Sequence, residues 1–207
     1  MGLKPLISLT LATLLVCAAT SALAQTEPAA TKNHIPLAVG AGFSGFNTDL
    51  GEGDLYGGTL WIDYTLPRVP SLLRGIGLEA EARDLNYMRA PGVPANLRMD
   101  VASGGVIYAL PRYVKFRPYG KYQMGYGNID EGAVHSTARW HDSRTVSSIG
   151  GGVDYRIFRS VWLRADYEYQ IWPDFWKTSP TSPHGPSYTP EGFTVGAMYH
   201  FDKPRSR

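Results

Sequence analysis

Two carboxylate pairs are spaced two residues apart, Glu79 with Glu81 and Asp166 with Glu168. In extended chain that spacing puts both carboxyls of a pair on one face. Paired carboxyls at an accessible cleft are the equipment of glycoside hydrolysis. His135-Ser136 and His141-Asp142-Ser143 offer other types: a base beside a hydroxyl, with an acid between. A His/Asp metal site in the same stretch is a further reading. Gly150-Gly151-Gly152 invites phosphate binding, yet a dinucleotide fingerprint opens a helix and none follows here. Each has a plainer account. His135, His141 and His184 read as solvated residues of polar stretches. The glycines read as close strand packing. The carboxylates read as partners of Arg83, Arg117, Lys121, Arg156 and Arg164. The elements that carry these residues decide between the accounts.

The most regular element is Val161–Trp172, VWLRADYEYQIW. Val161, Leu163, Ala165, Tyr167, Tyr169 and Ile171 alternate with Trp162, Arg164, Asp166, Glu168, Gln170 and Trp172. Period-2 alternation over this length predicts a β-strand. A tilted strand crossing a bilayer needs about 9–11 residues, more than the usual soluble strand of about 5–6.

Seven further segments repeat the unit, at about Ile35–Phe46, Leu55–Leu66, Ile76–Tyr87, Met99–Leu110, Phe116–Gly127, Arg144–Ile157 and Glu191–Phe201. In the fourth, Ala102, Val106 and Tyr108 are read as outward; the opposite phase, with Val101 and Ile107 outward, is the alternative. Pro118 cannot donate to a central ladder and belongs near a strand end or bulge. Connections after odd strands read as mostly longer than those after even strands, chiefly the fifth (Asn128–Asp142) and the seventh (Pro173–Pro190). These two are the expected variable recognition surface. Trp172, Phe175 and Trp176 before the seventh read as interface anchors, or as part of a binding surface.

The chain has 207 residues. Lys4, an almost wholly apolar run from Leu6 to Ala19, and Ala22-Leu23-Ala24 before Gln25 form a secretory signal peptide, too short to span as a helix. The single cysteine, Cys17, lies within it. A lipid-anchored Cys17 is the lesser alternative, because Val16 stands where such a signal needs a small residue. Cleavage near Ala24 leaves a chain without disulfides. The expected division is 1–24 signal peptide, 25–33 flexible periplasmic leader, 34–201 barrel and 202–207 short C-terminal tail. With 20 basic against 18 acidic residues, nothing points to nucleic acid. No later run approaches 18 apolar residues, so no transmembrane helix is expected.

Thirteen tyrosines and five tryptophans are many for so polar a chain. Tyr56, Tyr64, Tyr108, Tyr126, Tyr155, Tyr169 and Tyr199 fall near strand ends, where interfacial girdles sit. Long strands, girdles and a signal peptide together predict an all-β fold: an eight-stranded antiparallel up-and-down transmembrane β-barrel. Closure follows, because an open edge in lipid leaves unpaired backbone groups. The polar faces then point inward. Asp63, Glu79, Glu81, Arg83, Arg117, Lys121, Asp154, Arg156, Arg164, Asp166 and Glu168 become a structural charge network that plugs the lumen. A charge at Ala165, on the lipid face, is expected to harm assembly far more than Glu168→Gln.

GGGVDYRI (Gly150–Ile157) leading through a tight turn into VWLRADYEYQ (Val161–Gln170), FRPYGKYQMGYG (Phe116–Gly127) and the closing Tyr199-His200-Phe201 resemble the small outer-membrane β-barrel family. This is the type of the OmpA membrane domain and the porin-family surface antigens, and the likeness spans about Ile35–Phe201. It implies a bacterial outer-membrane location with both termini periplasmic. It also implies a structural or surface-interaction role, with Tyr199 and Phe201 as the C-terminal assembly signal. Expected partners are outer-membrane lipid and lipopolysaccharide, the barrel-assembly machinery and periplasmic chaperones, and an extracellular ligand through the loops. A monomer is expected. No catalytic residue, cofactor or metal is. A narrow passive channel is the alternative, and a lipid A-modifying enzyme a lesser one. The His and Ser of barrel deacylases share a tight strand motif that this sequence lacks. Six residues follow Phe201, where many such barrels stop. No peptidoglycan-binding segment follows, so that tethering role is not implied.

Overall fold

A computed structural model describes residues 36–48, 54–87, 96–132, 139–173 and 187–201. The signal, leader and tail segments lie outside these residues, as do His135, Ser136, Phe175, Trp176 and His184. The side chains of His141 and Asp142 are not described either. Eight strands follow in order: β1 (Leu37–Asn47), β2 (Asp54–Thr65), β3 (Ile76–Tyr87), β4 (Asn96–Ala109), β5 (Phe116–Gly132), β6 (Arg139–Arg156), β7 (Val161–Ile171) and β8 (Glu191–His200). Each pairs antiparallel with its chain neighbour, and β1 closes on β8 from Ala38↔His200 to Asn47↔Glu191. Closure leaves no edge strand to pair with another chain. Among the described residues the one helical piece is a single 3₁₀ turn, Ser71–Leu73, and no helix is long and apolar enough to cross a membrane.

The faces fall as the alternation predicts over most of each strand. Val39, Phe43, Leu60, Ile62, Leu78, Leu163 and Val195 point out, while Ser44, Thr59, Asp63, Glu79 and Arg164 are buried inside. In β4, Val106 and Tyr108 are exposed and Val101 and Ile107 buried, which settles its phase. Tyr64, Tyr108, Tyr155 and Tyr199 ring the turn end, and Tyr56, Tyr126 and Tyr169 the loop end. Pro118 is the third residue of β5, near the strand start.

The loop end departs from the expectation. β5 and β6 are 17 and 18 residues long, and their register runs unbroken to Gly132↔Arg139. The expected fifth loop, Asn128–Asp142, is therefore mostly strand, and its hairpin reaches roughly 16 Å past Gly127 at about 3.3 Å per residue. The connection narrows to 133–138, so the alternation of loop lengths no longer rests on it. The polarity of the faces also inverts there. Phe46, Leu55, Leu85, Met99, Ile129, Val146, Trp172 and Tyr188 form a buried inward cluster. Outward positions at that level are Asp84, Arg98 and Asp130. This is the arrangement of a soluble protein, apolar inside and polar outside, set on top of a membrane arrangement. A composition rich in Asn, Asp and Glu reads as loop when only a lipid-facing apolar stripe is sought.

Trp172 belongs to this inner core and is not an interface anchor. It is fully buried, stacks edge-on against Tyr188 with centroids 5.9 Å apart, and is bridged to it backbone to backbone. A Cβ at Gly127 would be built into its indole ring. Gly127→Ala is thus expected to destabilise the barrel by about 1–3 kcal/mol through overpacking. The midpoint of urea unfolding in lipid vesicles measures it; an unchanged midpoint would mean that Trp172 is not held against β5.

The charged lumen as candidate functional site

Below the apolar cluster the inward positions turn polar, and antiparallel register brings charges from five strands to one level. Asp63 stands opposite Glu79, Trp61 opposite Glu81, Arg117 opposite Asp154 and Asp154 opposite Arg164. Small residues make room for long ones. Gly150 faces inward opposite Lys121, and a Cβ there would meet its Cε at 3.1 Å. The glycine run of β6 therefore serves strand packing and lumen space, as its plainer account has it.

Three cations organise the network. Arg164 donates to Asp63 at 2.7 Å, Glu79 at 2.6 Å and Asp154 at 2.9 Å. Lys121 Nζ lies 3.3 Å from Glu79, 2.9 Å from Glu81, 3.2 Å from Asp166 and 3.1 Å from Glu168. Arg83 spans Glu168 with both terminal nitrogens, at 3.1 and 3.3 Å, and bridges to Glu81. Arg117, nearer the turn end, joins through Asp154 at 2.7 Å. Ten of the eleven expected lumen charges are thus linked. Arg156 is the exception: it is half-buried and makes none of these bridges. It is the last residue of β6, at the turn end, where the lumen opens to the rim, so it has no need to pair.

Six carboxylates therefore meet four cations. Neutral groups take up part of the excess. Tyr119 donates its hydroxyl to Asp166, Gln123 its amide to Glu79 at 2.8 Å, and Gln170 to Glu168 at 2.8 Å. Phase alone put these residues inside; their role depends on cross-barrel distances that no single strand encodes. Ser44 bonds Thr59 and Thr194 at 2.5 and 2.6 Å, a hydroxyl triad that crosses the β8–β1–β2 seam.

Arginines and rings tie the layers together. Arg83 lies 4.3 Å from the Phe46 ring, joining the network to the apolar cluster, and Trp172 Nε1 donates to Gln170 at 3.0 Å. At the turn end Arg164 lies over Tyr119 and Trp61, Arg117 over Trp162, and a second apolar group packs Ala38, Trp61, Trp162 and Met198. His200 faces inward there, its ring 4.9 Å from that of Trp162.

The paired carboxylates do not form a cleft. Glu79, Glu81, Asp166 and Glu168 are at most 8% exposed, and each is engaged by a cation. A saccharide has no approach to them. Among the described residues no group of His, Cys, Asp and Glu is arranged to hold a metal ion. The residues of the lesser readings, His135-Ser136 and the His141-Asp142 part of His141-Asp142-Ser143, fall on undescribed residues or side chains. Ser143 Oγ bonds Asn128 Oδ1 at 2.6 Å across β5 and β6.

Comparisons with known proteins agree with this geometry. A family model described as the outer membrane protein beta-barrel domain matches residues 9–201. No curated protein matches the sequence. Among solved structures the chain is similar to Neisserial surface protein A (NspA), with a TM-score of 0.57 at 12% identity over 79% of this chain and 95% of that one. A major outer membrane protein from Thermus thermophilus gives 0.52 at 12%, covering 78% and 98%. Ail, the attachment invasion locus protein of Yersinia pestis, gives 0.50 at 15%, covering 79% and 95%. At these identities the likeness is one of fold.

Proposed function

This chain belongs to the outer membrane protein β-barrel domain family, and from that premise we propose that it is a bacterial outer-membrane barrel with a structural or surface-interaction role and a lumen closed by its own side chains. The observation that carries this reading is the linked network around Lys121, Arg164 and Arg83. An unpaired buried charge is costly, so shared contacts favour one closed arrangement. An eight-stranded lumen is about filled by its own side chains.

In this reading the turns and both termini face the periplasm after signal cleavage near Ala24. The long β5–β6 hairpin and the connection from β7 to β8 face outward and meet any extracellular ligand. Tyr199 and Phe201 point outward, with rings 5.1 Å apart, which suits an assembly signal read by the barrel-assembly machinery after periplasmic chaperones deliver the chain. The lipid belt meets outer-membrane lipid and lipopolysaccharide, and the barrel acts as a monomer.

Planar-bilayer recording tests the closed lumen. The expected trace has no stable open level under voltage, and reproducible openings would make the protein a narrow channel instead. Cell fractionation tests the placement. The protein is expected in the outer membrane, with faster gel mobility before heating than after, and recovery in the soluble periplasm would overturn the reading.

A further inference from the structure

Among the described residues the two ends of the barrel carry opposite charge. Three connections form the turn end: 66–75, 110–115 and 157–160. They hold Arg68, Arg74, Arg112, Lys115 and Arg159, all exposed, and not one Asp or Glu. Among the side chains described, the outer wall of the loop end holds Asp54, Asp84, Asp100, Asp130 and Glu191 against Arg98. The network inside the barrel does not produce this asymmetry, since those ten groups face the lumen.

The basic turns also expose apolar side chains. Tyr113 is 78% exposed, Val114 70% and Phe158 68%. Arg112-Tyr113-Val114-Lys115 holds this composition at a strained tip. Tyr113 and Phe116 bond each other in both directions, and Val114 takes a φ of 56°. A β-branched residue rarely adopts that left-handed conformation, and glycine would take it without strain. Backbone strain of this kind persists where the surroundings over-determine it, often at binding elements. Lys115 Nζ lies 5.8 Å from the ring of Tyr155, which belongs to the girdle of the turn end. Its ammonium is thus held beside the aromatic girdle, at the boundary where a snorkelling lysine places its charge.

We propose that the turn end is a binding surface for the phosphate headgroups of anionic phospholipid. Exposed cations at the level of an aromatic girdle attract anionic headgroups, and the apolar tips enter the adjoining acyl boundary. The acidic side chains described on the outer wall of the loop end oppose the same contact, which assigns it to the turn end. This inference rests on the membrane reading above and adds the lipid class and the face.

Vesicles of phosphatidylcholine and phosphatidylglycerol in equal amounts provide the test. The barrel is refolded into them, extracted in mild detergent, and the retained lipid counted by native mass spectrometry. Phosphatidylglycerol is expected to exceed phosphatidylcholine by roughly fivefold or more, about the effect of one cation at an anionic surface. Arg112→Gln with Lys115→Gln is expected to remove most of that preference while heat-dependent gel mobility stays unchanged. Equal retention of the two lipids by the folded wild-type protein would overturn the proposal alone. Absence of any heat-modifiable form in vesicles would overturn the membrane reading itself. An unchanged preference in the double variant would place the phosphate contact elsewhere and also overturn the assignment.

Discussion

Lys121→Met is expected to lower the unfolding free energy of the barrel by about 3–5 kcal/mol, the cost of breaking a buried pair from one side. Asp166→Asn is expected to cost no more than about 1–2 kcal/mol, in the range of one altered hydrogen bond. The difference comes from the charge count. Lys121 Nζ lies within 3.3 Å of four carboxylates. Its loss leaves six carboxylates with three cations, all on buried or half-buried side chains. Loss of the charge on Asp166 reduces the surplus of negative charge, and an amide can still accept from Tyr119. Among the described residues Asp166 Oδ1 has no hydrogen-bond partner to lose. Urea unfolding in vesicles, monitored by gel mobility, measures both variants. Equal losses, or a larger one for Asp166→Asn, would show that surplus negative charge does not govern the lumen.

Ala165→Arg is expected to cost about 2–4 kcal/mol, the penalty of a cation on the lipid face near the bilayer midplane. Ala165 sits midway along β7, opposite Val153 and Val195, and its neighbours Leu163 and Tyr167 also face out. Glu168→Gln, on the opposite face, keeps an acceptor for Arg83 and Gln170, and about 1–2 kcal/mol is expected. The folded fraction after refolding into vesicles separates the two. If Ala165→Arg folded as well as Glu168→Gln, the wall at Ala165 would not face hydrocarbon. Both comparisons need only the ratio between variants, so they survive a general shift in refolding yield.

The alternation of single strands made most of the architecture legible. Val161–Trp172 is enough to place Arg164, Asp166 and Glu168 on one face and Leu163, Ala165 and Tyr167 on the other, because side-chain period in a strand is a local property. The same rule put the lumen charges on the inward faces, and cross-barrel register then linked ten of the eleven in one network. It failed where the surroundings of the strand change along its length. Leu85 shares its phase with Glu79, Glu81 and Arg83, yet it packs in an apolar core with Phe46 and Met99. The signal was present in the pattern: at Asp84, Leu85 and Asn86 the outward positions turn polar as the inward one turns apolar. Searching for one membrane stripe hides it, and Asn128–Gly132 then reads as loop instead of strand.

The sequence by itself determined the strand number, the faces of every strand but β4 and the closure of the barrel, since each follows from hydrophobic period and from the cost of unpaired backbone in lipid. Tertiary structure alone decided which carboxylate meets which cation. It also decided that Trp172 turns into an apolar core with Tyr188, and that among the described residues one end is basic and the other acidic. Register fixes these matters across strands far apart in the chain: Arg83 and Glu168 are 85 residues apart, and Arg164 and Asp63 are 101 apart. A single strand carries a phase, but its partner's offset comes from closing all eight at once.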